Sequence, residues 1–171
     1  VYIMKLYNFV LFYKRIIIEI KNAIRKIGLT LPPVRKPSFN YIPINSIGNL
    51  YFVSGQLPWL SDDNLIQGKA NSIKDIELGK SASKQCVLNF LSLLSHYQID
   101  KDIINKIIKL SVFVNSSSTF IDLPRVADGA SNLIIDFFGK KVGSHSRTAV
   151  GVNSLPRNAM CEVDFIFSKN Q

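Results

Sequence analysis

Residues 146–168 read SRTAVGVNSLPRNAMCEVDFIFS. After Arg147 the side chains through Val152 are small or apolar, and from Met160 to Ser168 they alternate. Cys161, Val163, Phe165 and Phe167 fall on one face, with Met160, Glu162, Asp164 and Ile166 on the other, the period-two pattern of a strand. Asn153 to Ala159 joins the two runs, which predicts a closing β-hairpin from Arg147 to Glu162. Two charged residues lie in these strands. An ionised Glu162 is disfavoured there without a partner or a task. The Arg147 guanidinium suits a carboxylate gripped bidentately beside a sheltered cleft. On residue type alone, a structural ion pair between the two is the commoner reading.

Upstream, Pro124 opens a helix whose Val126, Ala130, Leu133, Ile134 and Phe137 recur at helical spacing, and Gly139 stands where a C-cap glycine belongs. Leu110, Val112 and Val114 alternate as a strand, after a short stretch from Asp102 to Ile108 that reads as helical. Asp75 to His96 carries a wide apolar face through Leu78, Ala82, Cys86, Phe90 and Leu93. Before it, Ser61 to Ile73 is polar and irregular, a surface loop. Tyr41 to Ile47 and Leu50 to Gln56 are β-rich runs about a Gly48-Asn49 turn. The order β-β-α-β-α-β-β predicts an α+β domain with two helices packed on one face of a single mixed sheet. The other face, carrying Met160 and Ile166, would stay partly exposed in a monomer, which points to self-association.

Three segments divide the chain: an apolar and basic extension at 1–15, an amphipathic helix with a proline-rich connector at 16–37, and the domain at 38–171. The first holds an apolar run of about eight residues, short of the 20 or so that span a bilayer. It has the size of a signal-peptide core but lacks a small-residue cleavage site. An organelle transit peptide and a misplaced start before Met4 are the other readings. Ile17, Ile20, Ile24 and Ile27 then recur at helical spacing up to Gly28, favouring a helix packed on the domain. No membrane contact is expected of the domain, and its expected compartment is the cytoplasm unless the extension directs it to an organelle.

The formal charge of +9 is concentrated at the start: Val1 to Lys36 holds eight basic residues and one acidic. That leaves 13 of the 21 basic and 11 of the 12 acidic residues for the rest, too balanced a body for nucleic acid as the main partner. Cys86 and Cys161 lie in apolar patterns as buried free thiols, and neither they nor His96 and His145 have ligand spacing, so no metal is expected. No phosphate loop, dinucleotide fingerprint, nucleophile elbow or zinc-binding His-Glu pair is present.

Asn40-Tyr41-Ile42-Pro43, Gly48 to Pro58 (GNLYFVSGQLP), Lys109 to Asn115 (KLSVFVN), and Ser146 to Val152 leading to Leu155-Pro156 and Cys161-Glu162-Val163 together resemble the RidA/YjgF family of reactive-intermediate deaminases. The four motifs stand in family order and cover nearly all of the chain after about Leu31. The resemblance implies a chorismate-mutase-like α+β fold, a homotrimer with a ligand cleft at each subunit interface, and no cofactor. It implies hydrolytic deamination of an enamine or imine, such as 2-aminoacrylate, to a 2-keto acid and ammonia. Arg147 would hold the substrate carboxylate and Glu162 would position or activate water. Tyr41, Ser54 and Gly55 would line the pocket, together with Ala149, where many members carry Cys, chiefly through its main chain. Asp128 stands where a similar subgroup carries Asn, and its charge opposes a carboxylate ligand. The rival reading is a non-catalytic trimeric module that binds small 2-keto acids or regulatory partners.

Overall fold

The computed structural model of the chain describes residues 19–35 and 39–170. The readings of segment 1–15 lie outside the described residues. Helix α1 occupies residues 19–26, with Ile20 and Ile24 fully buried in the core, and ends at Gly28, whose φ of 75° frees its N–H to bond the Arg25 carbonyl at 3.0 Å.

Strands β1 (Ile44–Ile47) and β2 (Leu50–Gln56) pair antiparallel about Gly48, whose φ of 58° makes the tight turn. Pro43 holds Tyr41 and Ile42 outside β1. Helix α2 (Ile76–His96) follows a capping box on Ser72 and Asp75. Its Phe90 stacks on Phe165 with ring centroids 4.3 Å apart. Strand β3 (Ile104–Asn115) begins earlier than its alternation suggests. The stretch from Asp102 to Ile108, expected to be helical, is one 3-10 turn (Lys101–Ile103) running into this strand. Its β-branched isoleucines fit the pleated sheet, and the register irregularities between Ile104 and Lys106 and between Ile107 and Lys109 disrupt the alternation that would have revealed it. Helix α3 (Leu123–Gly143) starts with Pro124 and breaks at Gly139, at φ 74° and ψ 160°.

Strands β4 (Ser146–Val152) and β5 (Cys161–Lys169) complete a five-stranded mixed sheet in the order β1-β2-β5-β3-β4. The expected closing hairpin does not form. The α3 crossover lays β4 parallel to β3, while β5 pairs antiparallel with both β3 and β2, so β3 separates β4 from β5. The long connection from 153 to 160 permits this, since a tight hairpin would need a two- to five-residue turn.

Helices α2 and α3 cover one face, packing on Val53, Leu110, Val112, Val114, Cys161, Val163, Phe165 and Phe167. The opposite face carries Phe52, Ser111, Asp164 and Ile166, with Phe52 43% exposed. Met160 departs from the expected pattern. It is fully buried, because the segment around Gly68 folds over it and its N–H donates to the Ile66 carbonyl. Cys86 and Cys161 are buried free thiols, and burial pushes Cys161 up to about 12. No helix among the described residues is long and apolar enough to cross a membrane.

Candidate functional site

The site begins at a bulge. Val53 pairs with Phe165 and Gln56 with Val163, so β2 spends one extra residue around Ser54 and Gly55. Such bulges re-aim side chains beside functional clefts. Here the bulge brings Gly55 under the Glu162 carboxyl so closely that a Cβ at residue 55 would lie 1.8 Å from Oε1. Only glycine leaves that room. Ser54 Oγ donates to the Ile42 carbonyl at 3.1 Å and ties the bulge to the segment carrying Tyr41.

Glu162 lines a cavity of about 460 Å3 together with Tyr41, Ser54, Gly55, Leu57 and Trp59. It is half-buried, and burial, followed by the nearby Asp164 carboxylate, pushes its carboxyl above the ordinary glutamate range. A carboxyl shifted this way exchanges protons nearer neutrality. Trp59 is held from α2, where Gln85 Nε2 and Asn89 Nδ2 donate to its carbonyl at 2.6 and 2.9 Å. Its ring lies under the Arg35 guanidinium, 3.7 Å from the centroid, and Arg157 approaches it at 5.7 Å.

Arg147 is elsewhere. It sits beside Leu110 in the β3–β4 register and therefore projects from the helix-covered face, whereas Glu162 alternates with the buried Cys161 and Val163 and projects from the other. The two residues singled out in sequence thus lie on opposite faces of the sheet, and no ion pair joins them. Arg147 Nη1 donates to Asp128 Oδ1 at 2.8 Å and to Ser131 Oγ at 3.0 Å, both on α3. Ser131 Oγ is 3.0 Å from His145 Nε2, and His145 Nδ1 is 2.6 Å from the Gly143 carbonyl. Nδ1 therefore donates to that carbonyl and Nε2 accepts the serine proton. Burial, and then the Arg147 and Lys106 charges against the Gly143 hydrogen bond, leave His145 below its ordinary pKa. Ala149 lies on the same face as Arg147, partly buried against the core.

The structure thus brings Tyr41, Ser54, Gly55 and Glu162 together, and separately Arg147, Asp128 and Ala149. Sequence reasoning missed Trp59, Arg35 and Arg157 at the first site and Ser131 and His145 at the second. The signal for Trp59 and Arg157 was adjacency to Leu57-Pro58 and Leu155-Pro156, which mark loop ends without revealing where they meet. Glu19, Asp100 and Asp102 bring carboxylate oxygens within 4.8 Å of one another, but none of them lines the cavity.

Residues 21–169 match the family described as YjgF/chorismate mutase-like, putative endoribonuclease. The chain is 37% identical over 147 residues to Protein TCP17 of Trypanosoma cruzi, covering 86% of this chain and 92% of that one. It is similar in structure to Atu1372 of Agrobacterium tumefaciens, a protein of unknown function (TM-score 0.75, 34% identity, 94% and 99% of the two chains). It is also similar to a Shewanella oneidensis protein described as a putative endoribonuclease (TM-score 0.79, 27% identity, 87% and 98%).

Proposed function

Since the chain belongs to the YjgF/chorismate mutase-like family, we propose that it hydrolyses small enamine or imine acids of the 2-aminoacrylate kind to 2-keto acids and ammonia. The observation that carries this reading is Glu162, a half-buried carboxyl of raised pKa that lines a half-open cavity beside a residue that has no Cβ. Imines are already electrophilic, so the protein has only to orient the acid and move protons. Protonated Glu162 donates to the enamine carbon, giving the iminium. Its carboxylate then takes a proton from water as the water oxygen bonds to C2. Returning that proton to nitrogen breaks the C–N bond and releases ammonia while the hydroxyl proton passes to the Glu162 carboxylate, leaving the 2-keto acid and restoring the protonated carboxyl. No step calls for a cofactor.

The carboxylate anchor in this reading is Arg147 of a second copy of the chain, because within one chain it faces away from Glu162. The apolar residues Phe52 and Ile166 on the uncovered sheet face support such an assembly, a homotrimer by resemblance. Asp128 and Ser131 engage Nη1 of Arg147, which leaves the rest of its donor fork for a ligand. The same ion pair favours the rival reading, a module that binds 2-keto acids without turnover, since Asp128 already meets part of the arginine's charge.

Turnover decides between them. Imines generated in situ by an amino-acid oxidase are supplied to the full chain and keto-acid release is followed. Acceleration that falls about 100-fold in kcat in Glu162→Gln is expected of the deaminase. Binding of keto acids without acceleration would establish the module instead.

A further inference from the structure

The cavity holding Glu162 carries more positive charge than its own residues satisfy. Its charged lining residues are Arg35, Arg157 and Glu162. Arg35 is engaged, with Nη1 bonded to the Asp62 carbonyl and 3.8 Å from the Asp62 carboxylate. Glu162 is pushed toward its neutral form by burial. Among the described residues the Arg157 guanidinium has neither a hydrogen bond nor an ion pair, and it lies 5.7 Å from the centroid of the Trp59 ring. Arg157 is exposed at the rim of this mixed polar and apolar cavity, and the indole face beside it attracts the guanidinium without neutralising it.

The backbone that carries Arg157 is itself held in an uncommon conformation. Arg157 and Asn158 both adopt φ of 57°, a left-handed conformation that non-glycine residues rarely take. Three contacts enforce it. Gln67 Nε2 donates to the Arg157 carbonyl at 2.7 Å, the Gly68 N–H to the Asn158 carbonyl at 3.0 Å, and Asn115 Nδ2 to Asn158 Oδ1 at 3.1 Å. Strain maintained by surrounding contacts at a cavity wall is a mark of function.

We propose that Arg157 is a second anion anchor, and that the substrate is a 2-imino or 2-enamino dicarboxylic acid of four or five carbons. This rests on the deaminase reading: one carboxylate, beside the C=N, meets Arg147 of a second copy, and the distal carboxylate meets Arg157 of the chain that supplies Glu162. The step is unchanged, one water consumed and one ammonia released, and the product is a 2-keto diacid. Arg35 backs the same wall and leaves the bidentate grip to Arg157.

The sequence contains one tryptophan, so intrinsic tryptophan fluorescence reports on this cavity wall alone. Two measurements on the full chain separate the inference from the reading beneath it. The first titrates 2-oxoglutarate and, as an apolar comparison, 4-methyl-2-oxopentanoate, following Trp59 emission. The diacid is expected to bind at least tenfold more tightly, a preference that Arg157→Ala removes and Arg157→Lys partly restores. The second measures hydrolysis of the imines formed from glutamate and from leucine. The ratio of kcat/KM values is expected to favour the diacid imine at least tenfold and to collapse in Arg157→Ala through KM. Turnover without that preference, or equal loss on both imines in Arg157→Ala, overturns the diacid assignment and leaves the deaminase standing. Selective binding of 2-oxoglutarate with no imine hydrolysed overturns the deaminase and keeps Arg157 as an anion anchor. Equal binding of the two keto acids overturns Arg157 as an anchor.

Discussion

Glu162 and Gly55 form one unit, since the carboxyl occupies the space a Cβ would fill. The atoms that Gly55→Ala would strike belong to the Glu162 side chain, not to backbone. Relief comes when the glutamate swings aside. The variant should therefore keep its unfolding temperature to within a few degrees while losing activity about as Glu162→Gln does, which thermal melts and imine hydrolysis together would check. The raised carboxyl also predicts a pH signature. A group whose folded pKa lies above its unfolded value of about 4.3 contributes stability below that value and loses it as pH rises through the folded one. Glu162→Gln should accordingly melt higher than the native chain at pH 7, with the difference shrinking to nothing near pH 4. A difference that grew on acidification would contradict the burial of this carboxyl. Arg147 and Glu162 were legible as candidates because charge in an apolar strand is costly. Trp59 and Arg157 were not, because a loop residue acquires meaning only from what it meets.

At the scale of elements, the site depends on a bulge in β2 and on two helices that fix the sheet behind it. Helices α2 and α3 approach closely at glycine. A Cβ at Gly129 would lie 2.1 Å from the Lys80 carbonyl, and Ser83 Oγ, 2.5 Å from the same point, donates to the Val126 carbonyl at 2.6 Å. Backbone cannot swing aside as a side chain can. Gly129→Ala should cost about 1–3 kcal/mol by overpacking, read as a lower denaturant midpoint with unchanged slope. Both long helices were legible from their 3.6-residue periodicity, although α3 runs on to Gly143, past the Gly139 kink where the sequence placed its end. The start of β3 was not, because irregularities between Ile104 and Lys106 and between Ile107 and Lys109 interrupt its alternation, and periodicity cannot assign an interrupted run of isoleucines.

Across the whole molecule, the opposite orientations of Arg147 and Glu162 make a mixing experiment informative. If each site takes Glu162 from one copy and Arg147 from another, Arg147→Ala and Glu162→Gln are each inactive alone. Refolded together in equal amounts, they should recover about a quarter of native activity through sites that draw one intact residue from each parent. No recovery would place both residues' action within a single chain. The sequence by itself determined the order of the sheet strands and the two long helices, the helix-covered core face, the family and four of the residues that line the cavity, Tyr41, Ser54, Gly55 and Glu162, because these follow from periodicity, turn chemistry and motif order along the chain. Only the tertiary structure decided that the last two strands are not partners, that Arg147 meets Asp128 and not Glu162, and that Arg157 stands against Trp59. Those outcomes depend on where β3 inserts between β4 and β5 and on how distant loops close over one cavity, and the free energy of such long-range pairing is written in no local stretch of residues.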